Sequence, residues 1–207
     1  MSNSLHKTIM LLLVSAFLGS CGDPDGVSEF QPRLEADITG DVIVHYSGSA
    51  TFHTAIAARD GFPLFELVSE NRPPTRGTQI DEGYETVWFE GWRERPAVGE
   101  HIVSDRKTAF ADTSRTWIGY SRDLAQFKEN YSAVSGVFDV THSSDDRFEG
   151  NFRIEAVLYC RYFELGSDPP FEGSCDPFVL DDLAPSTITI VGTFRAQPYE
   201  NDVNVVW

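Results

Sequence analysis

The chain has 207 residues, a formal net charge of -16, 41% hydrophobic and 13% aromatic residues. That length suits one ordinary domain once the N-terminus is set aside, and the apolar content excludes disorder of the whole chain. The acidity excludes binding to phosphate backbones and electrostatic docking on anionic lipid headgroups, and serves solubility.

Residues 1–20 have three parts: a polar start with Lys7, the apolar run Ile9 to Leu18, and the small residues Gly19 and Ser20. This is the layout of a secretory signal peptide. The run is about ten residues, against the roughly 20 a helix needs to span a bilayer, and no other segment approaches that length. The run ends Leu18-Gly19-Ser20-Cys21. It resembles the lipobox of bacterial lipoproteins. The resemblance implies that the Cys21 thiol takes a diacylglyceryl group, that the chain is cut before it, and that the new amino group is acylated. Two or three acyl chains hold a domain stably where one does not. Residues 21–36, rich in Gly, Pro, Asp and Ser at their start, read as a flexible tether. Gly22 stands where an aspartate would favour inner-membrane retention in lipoproteins of enteric bacteria. The expected location is therefore the cell envelope, lipid-anchored, with the outer membrane (periplasmic or surface face) preferred over the inner.

From residue 37 to 207 the apolar period is two, which predicts a single all-β domain. Val42–Tyr46 is a strand, and Tyr46-Ser47-Gly48-Ser49-Ala50 reads as the turn of a first hairpin, with Phe52 and Ile56 sharing a face after it. In that register His45 opposes Ala50 and His53 opposes Val42. Phe62–Val68 follows, then an alternation of Tyr84, Thr86 and Trp88 against Glu85, Val87 and Phe89, with Trp88 assigned to the core. His101–Val103 and Trp117–Tyr120 are short strands. Ser121 to Tyr131 predicts the one helical turn, capped by Ser121, with Leu124 and Phe127 on one face. The clearest element is the hairpin that turns near Ser144-Asp145-Asp146. It sends Phe138, Val140, Phe148, Gly150, Phe152, Ile154 and Ala156 inward. Ile188, Ile190, Gly192 and Phe194 repeat the pattern, and Val203–Trp207 reads as a short closing edge. Gly150 and Gly192, on inward positions, predict bulges or tight bends. About nine short antiparallel strands make an antiparallel β-sandwich or a curled, barrel-like up-and-down sheet. The body is similar to the single-domain β-rich lipoproteins of unknown function. Arg95–Val103, the Thr141–Ala156 hairpin and Ile188–Ala196 carry that likeness.

Cys160 and Cys175 remain once Cys21 is assigned to lipid. In an oxidising compartment two thiols pair, and this bridge would close a 16-residue loop, worth about 3 kcal/mol in the chain-entropy model. No metal site is expected, because no histidine or Cys-x-x-Cys pair lies near them and His45 and His53 do not form a cluster. Asp168, Glu172, Asp176, Asp181 and Asp182 lack the spaced calcium loop and read as a solvated acidic stretch. Glu85, Glu90 and Glu94 beside Trp88 and Trp92 have the residue types of a sugar-hydrolysing site, in which paired carboxylates do acid–base work.

No nucleophile elbow, zinc-protease motif or phosphate loop occurs, so no catalytic residue is assigned and no cofactor is expected. The sequence thus predicts a lipid-anchored envelope module that binds or supports. Its partners are the membrane through its lipid, and an envelope protein or small ligand, but no nucleic acid. A calycin-like barrel carrying a small apolar ligand is the main alternative, a carbohydrate-active hydrolase the lesser one.

Overall fold

Inward-pointing Phe, Ile, Leu and Ala at every second position dictate a sheet that must hide one face, and curling it shut removes its edges. A computed structural model describes residues 30–56, 63–73, 81–92, 94–112, 114–125, 127–163, 171–172 and 186–199. It contains strands β1 (Arg33–Gly40), β2 (Val44–Ile56), β3 (Pro63–Glu70), β4 (Glu85–Trp92), β5 (Gly99–Ser104), β6 (Arg115–Asp123), β7 (Phe127–Ser143), β8 (Phe148–Phe163), the two-residue β9 (Phe171–Glu172) and β10 (Thr187–Pro198). One helix, α1 (Arg106–Ala111), lies between β5 and β6. β1 begins at Arg33, four residues ahead of the boundary expected at 37.

The strands form one sheet that closes on itself in the order β1-β2-β3-β4-β6-β7-β8-β10 and back to β1, each pair antiparallel. β5 is the ninth member of the ring. It runs beside the second half of the 17-residue β7 and touches β6 through two parallel pairs, so β5 and β6 share one position. The fold is therefore the barrel form of the expected all-β domain. Ring closure is secured where Asp41 takes the Thr187 N–H on Oδ2 at 2.7 Å and returns its own N–H to the Thr187 carbonyl at 3.0 Å.

The interior is packed, not hollow. Seven phenylalanines (52, 65, 89, 138, 148, 152 and 194) meet inside it together with Leu34, Ile38, Leu67, Ile118, Ile154 and Ile190, all at most 5% exposed. Phe138 stacks on Phe194 at 5.0 Å and 6°, while Phe89 meets Phe152 edge-on at 5.2 Å. Such contacts are favourable beyond their burial. The inward residues expected of the 138–156 hairpin and of 188–194 all lie on this face, with Gly192 only half-buried.

Four local expectations differ from the structure. Tyr46–Ala50 is the middle of β2, and the first hairpin turns at Asp41–Ile43 instead, entered by Gly40 at φ +108°. Gly48 sits in a strand because a Cβ there would come within 2.4 Å of the Tyr46 hydroxyl. His45 and His53 therefore lie on one strand, opposite Asp37 and Glu66. The helical turn falls at Arg106–Ala111, where Asp105 caps it by accepting the Thr108 N–H at 3.0 Å and its hydroxyl at 2.6 Å. Ser121 to Asp123 continue β6, and a tight connection through the Leu124 N–H and Phe127 carbonyl leads into β7. Gly150 and Gly192 are in regular register between β8 and β10. Their lack of a side chain admits the Phe194 and Phe152 rings, 2.7 and 2.8 Å from the missing Cβ atoms, and the nearest bulge lies across from Gly150, between Val140 and His142 of β7. Val203–Trp207 lies outside the described residues.

Candidate functional site

On β3, β4, β6 and β7 the outward side chains fall into three parallel rows, because register pairs share a face. One row runs Glu70, Thr86, Ser121, Asn130; the next Val68, Trp88, Gly119, Ser132; the third pairs His53 of β2 with Glu66 and Glu90 with Trp117, Glu66 meeting β4 at its register shift. Unlike most outward rows, these are largely covered: Trp117, Ser121, Asn130 and Ser132 are all at most 6% exposed. Helix α1 provides part of the cover. Its Arg106 guanidinium lies 4.8 Å from the Trp117 ring centre and 5.3 Å from that of Phe110.

Between the rows lies a cleft of about 300 Å³ lined by Glu66, Val68, Thr86, Trp88, Phe89, Glu90, Ser121, Lys128 and Asn130. Trp88 is held firmly. Its ring lies across Gly119, where a Cβ would come within 2.4 Å of two ring carbons, and meets Trp117 edge-on at 5.6 Å. Trp117 is fixed in turn by donating its Nε1–H to Ser132 Oγ at 2.7 Å. The Thr86 and Ser121 hydroxyls bond each other at 2.8 Å. Asn130, 6% exposed, lines the cleft with its side-chain amide. Lys128 reaches Asp123 at 3.4 Å.

On the other wall Glu66 is paired with His53 Nε2 at 3.0 Å, and Glu90 with Arg106 at 3.4 Å. Burial raises the Glu90 pKa to about 7; Arg106 opposes the shift and Glu66 adds to it. An unfolded glutamate titrates near ~4.3. Glu90 therefore contributes full stability below that value, and the contribution is lost as pH rises through about 7. Glu90→Gln is expected to gain stability relative to the parent between about pH 5 and about pH 8, by up to about 3 kcal/mol. The loss of charge opposite Arg106 works against that gain. Urea unfolding of both proteins at the two pH values measures it, and equal pH slopes would refute it.

The structure separates the residues expected to form a sugar-hydrolysing pair. Glu85 points inside the barrel and accepts from the Tyr120 hydroxyl at 2.6 Å, Glu90 points outside, and Glu94 is exposed. Trp88 belongs to the outer face, with Val87 and Phe89 in the core. The odd spacing of Glu85 and Glu90 along β4 puts their side chains on opposite faces, so those two cannot act on one bond. Glu66, Lys128, Asn130 and Arg106, which sequence reasoning did not single out, complete the site through register and through α1.

Cys160 is 2% exposed on the outer face of β8, level with Asn130. Cys21, Cys175, Asp168, Asp176, Asp181 and Asp182 lie outside the described residues, and only the backbone of Glu172 is described, in β9. His45 Nδ1 pairs with Asp37 at 2.9 Å in a shallow groove of about 490 Å³ that crosses β1, β10, β8 and β7. Among the described residues no group of three His, Cys, Asp or Glu side chains is placed to hold a metal ion, and no helix is long and apolar enough to cross a membrane.

A firmly seated tryptophan, a cleft-lining amide and flanking hydroxyls and carboxylates suit a small polar ligand held by stacking and hydrogen bonds. Comparison with protein families, with curated proteins and with solved structures finds no match for the chain.

Proposed function

We propose that this is a lipid-anchored cell-envelope lipoprotein, tethered through Cys21, whose barrel is a non-enzymatic binding module that works through its outer face. The observation that carries the binding mode is the phenylalanine-packed interior. A carrier of apolar ligands needs an internal chamber, whereas here aromatic rings 5–6 Å apart occupy it. The outer cleft combines an aromatic floor with convergent polar groups. The anchor reading rests on Leu18-Gly19-Ser20-Cys21, and the preference for the outer membrane on Gly22. A bridge between Cys160 and Cys175 belongs to the same reading, because an exported domain meets an oxidising compartment.

The anchor is tested by labelling a Gram-negative host with an alkyne fatty acid. The parent chain is expected to carry the label and to lose residues 1–20, whereas Cys21→Ser should accumulate as an unlabelled precursor. Normal processing of that variant would sink the lipobox reading. In the same preparations Cys160 and Cys175 should resist alkylation until reductant is added, and immediate alkylation of both would disprove the bridge.

A further inference from the structure

We infer that the outer cleft binds a neutral sugar ring, stacked on Trp88 and hydrogen-bonded by Asn130, the Thr86–Ser121 hydroxyl pair and Glu66. This assignment rests on the outer face being the binding surface, and it names the ligand.

Three observations converge. The first is the platform. Gly119 and Trp117 hold the Trp88 indole in place, yet the residue remains partly exposed and lines the cleft. A preset aromatic surface loses little freedom on binding and suits the C–H face of a pyranose. The second is the Asn130 amide. The residue is 6% exposed yet its side chain lines the cleft, so the amide is placed to donate to and accept from a bound hydroxyl. The third is the balance of the lining. Glu66 and Glu90 would repel an anion, while Glu66 is already engaged by His53 Nε2 at 3.0 Å and Glu90 by Arg106 at 3.4 Å. Lys128 is likewise matched by Asp123. What remains is a set of donors and acceptors around an apolar floor, the complement of a polyhydroxylated ring. The cleft volume of about 300 Å³ is at the lower end of small-molecule pockets, which fits one ring and not a long chain. Glu85 faces the barrel interior and Glu90 the cleft, so those two carboxylates cannot act together on the ring.

The test is saturation-transfer NMR on the full chain, purified in detergent, with the methyl glycosides of glucose, galactose, mannose and N-acetylglucosamine, and with cyclohexanol as an apolar control. At least one glycoside is expected to receive saturation on the C–H protons of one ring face. Trp88→Ala should abolish the signal, and Asn130→Leu should weaken affinity about tenfold, the loss of one hydrogen bond. If Trp88→Ala does not fold by circular dichroism, Asn130→Leu decides. Three results would overturn the assignment: no transfer to any of the four glycosides, transfer undiminished in the variants, or equal transfer to cyclohexanol. None of these touches fatty-acid labelling at Cys21, so the anchor reading stands or falls separately.

Discussion

Replacing Glu129 by alanine is expected to destabilise the domain by about 3 kcal/mol, the low end of the range for removing one partner of a buried ion pair. Glu129 is 4% exposed and sits on the inner face at one end of the barrel, level with Arg122 on β6 and Arg161 on β8. Its two oxygens are taken by Arg122 at 2.7 Å and Arg161 at 2.8 Å, and the Tyr131 hydroxyl donates to it at 3.1 Å. One carboxylate thus ties three neighbouring strands together. Burial pushes its pKa upward, but the hydrogen bonds from Arg161 and Arg122 outweigh this and hold it below the ordinary glutamate value. The sign of the pH effect follows. The network contributes fully above about pH 4.3, the unfolded-state value, and is lost as pH falls below it. Alanine leaves two guanidiniums facing each other at the barrel end. They are about a quarter and a third exposed, so water softens the penalty. Urea midpoints at about pH 7 and about pH 4 provide the measurement, and the variant's deficit should shrink at the lower pH. A deficit below about 1 kcal/mol at neutral pH, the size of a surface pair, would show that the cluster does not hold the strands.

Phe138→Ala is expected to cost about 3–5 kcal/mol, as truncation of a fully buried phenylalanine does. Phe138 is 0% exposed and at the centre of the aromatic interior. Its ring is stacked on Phe194 and lies 5.0 Å from Phe89 and 6.1 Å from Phe148. The four neighbouring strands are hydrogen-bonded into a closed ring and cannot collapse into the gap, so a cavity should persist. An apolar cavity of that kind stays dry and accepts benzene. Saturating benzene should therefore raise the melting temperature of Phe138→Ala and leave the parent unchanged. A loss under about 1.5 kcal/mol, the range of a volume-conserving exchange, would mean that the barrel interior repacks freely.

How much of this was legible in the sequence depends on which face a residue occupies. Phe148 to Ala156 and Ile188 to Phe194 alternate against charged and polar residues on the wet face, so period two locates their core side directly. Around Trp88 and Trp117 both faces of the sheet are covered, and alternation then carries no sign; Trp88 could be assigned to the core only because large aromatics usually belong there. Tyr46 to Ala50 looks like a turn because glycine and serine usually make one. Here they are small residues in a 13-residue strand whose neighbours approach closely. The real turn signal, Gly40-Asp41, stands six residues earlier. The cleft was least visible. Glu66 and Asn130 are 64 positions apart in the chain and meet only through the ring order β3-β4-β6-β7, which single-strand patterns do not encode.

The pairing of β1 with β10 also bears on how the chain is made. Arg33–Gly40 finds its partner Ile188–Arg195 at the far end of the described chain, so every intermediate strand can be synthesised before the ring can shut. Until then β1 offers one open edge, as does β8 along Phe148–Val157, and open edges invite pairing between molecules. Contacts so distant in sequence also slow folding. Nascent chains stopped before residue 187 are therefore expected to remain protease-sensitive and prone to association, and chains extended past 199 to become resistant in one step. Protease resistance acquired earlier would mean that the barrel matures hairpin by hairpin, without waiting for its last strand.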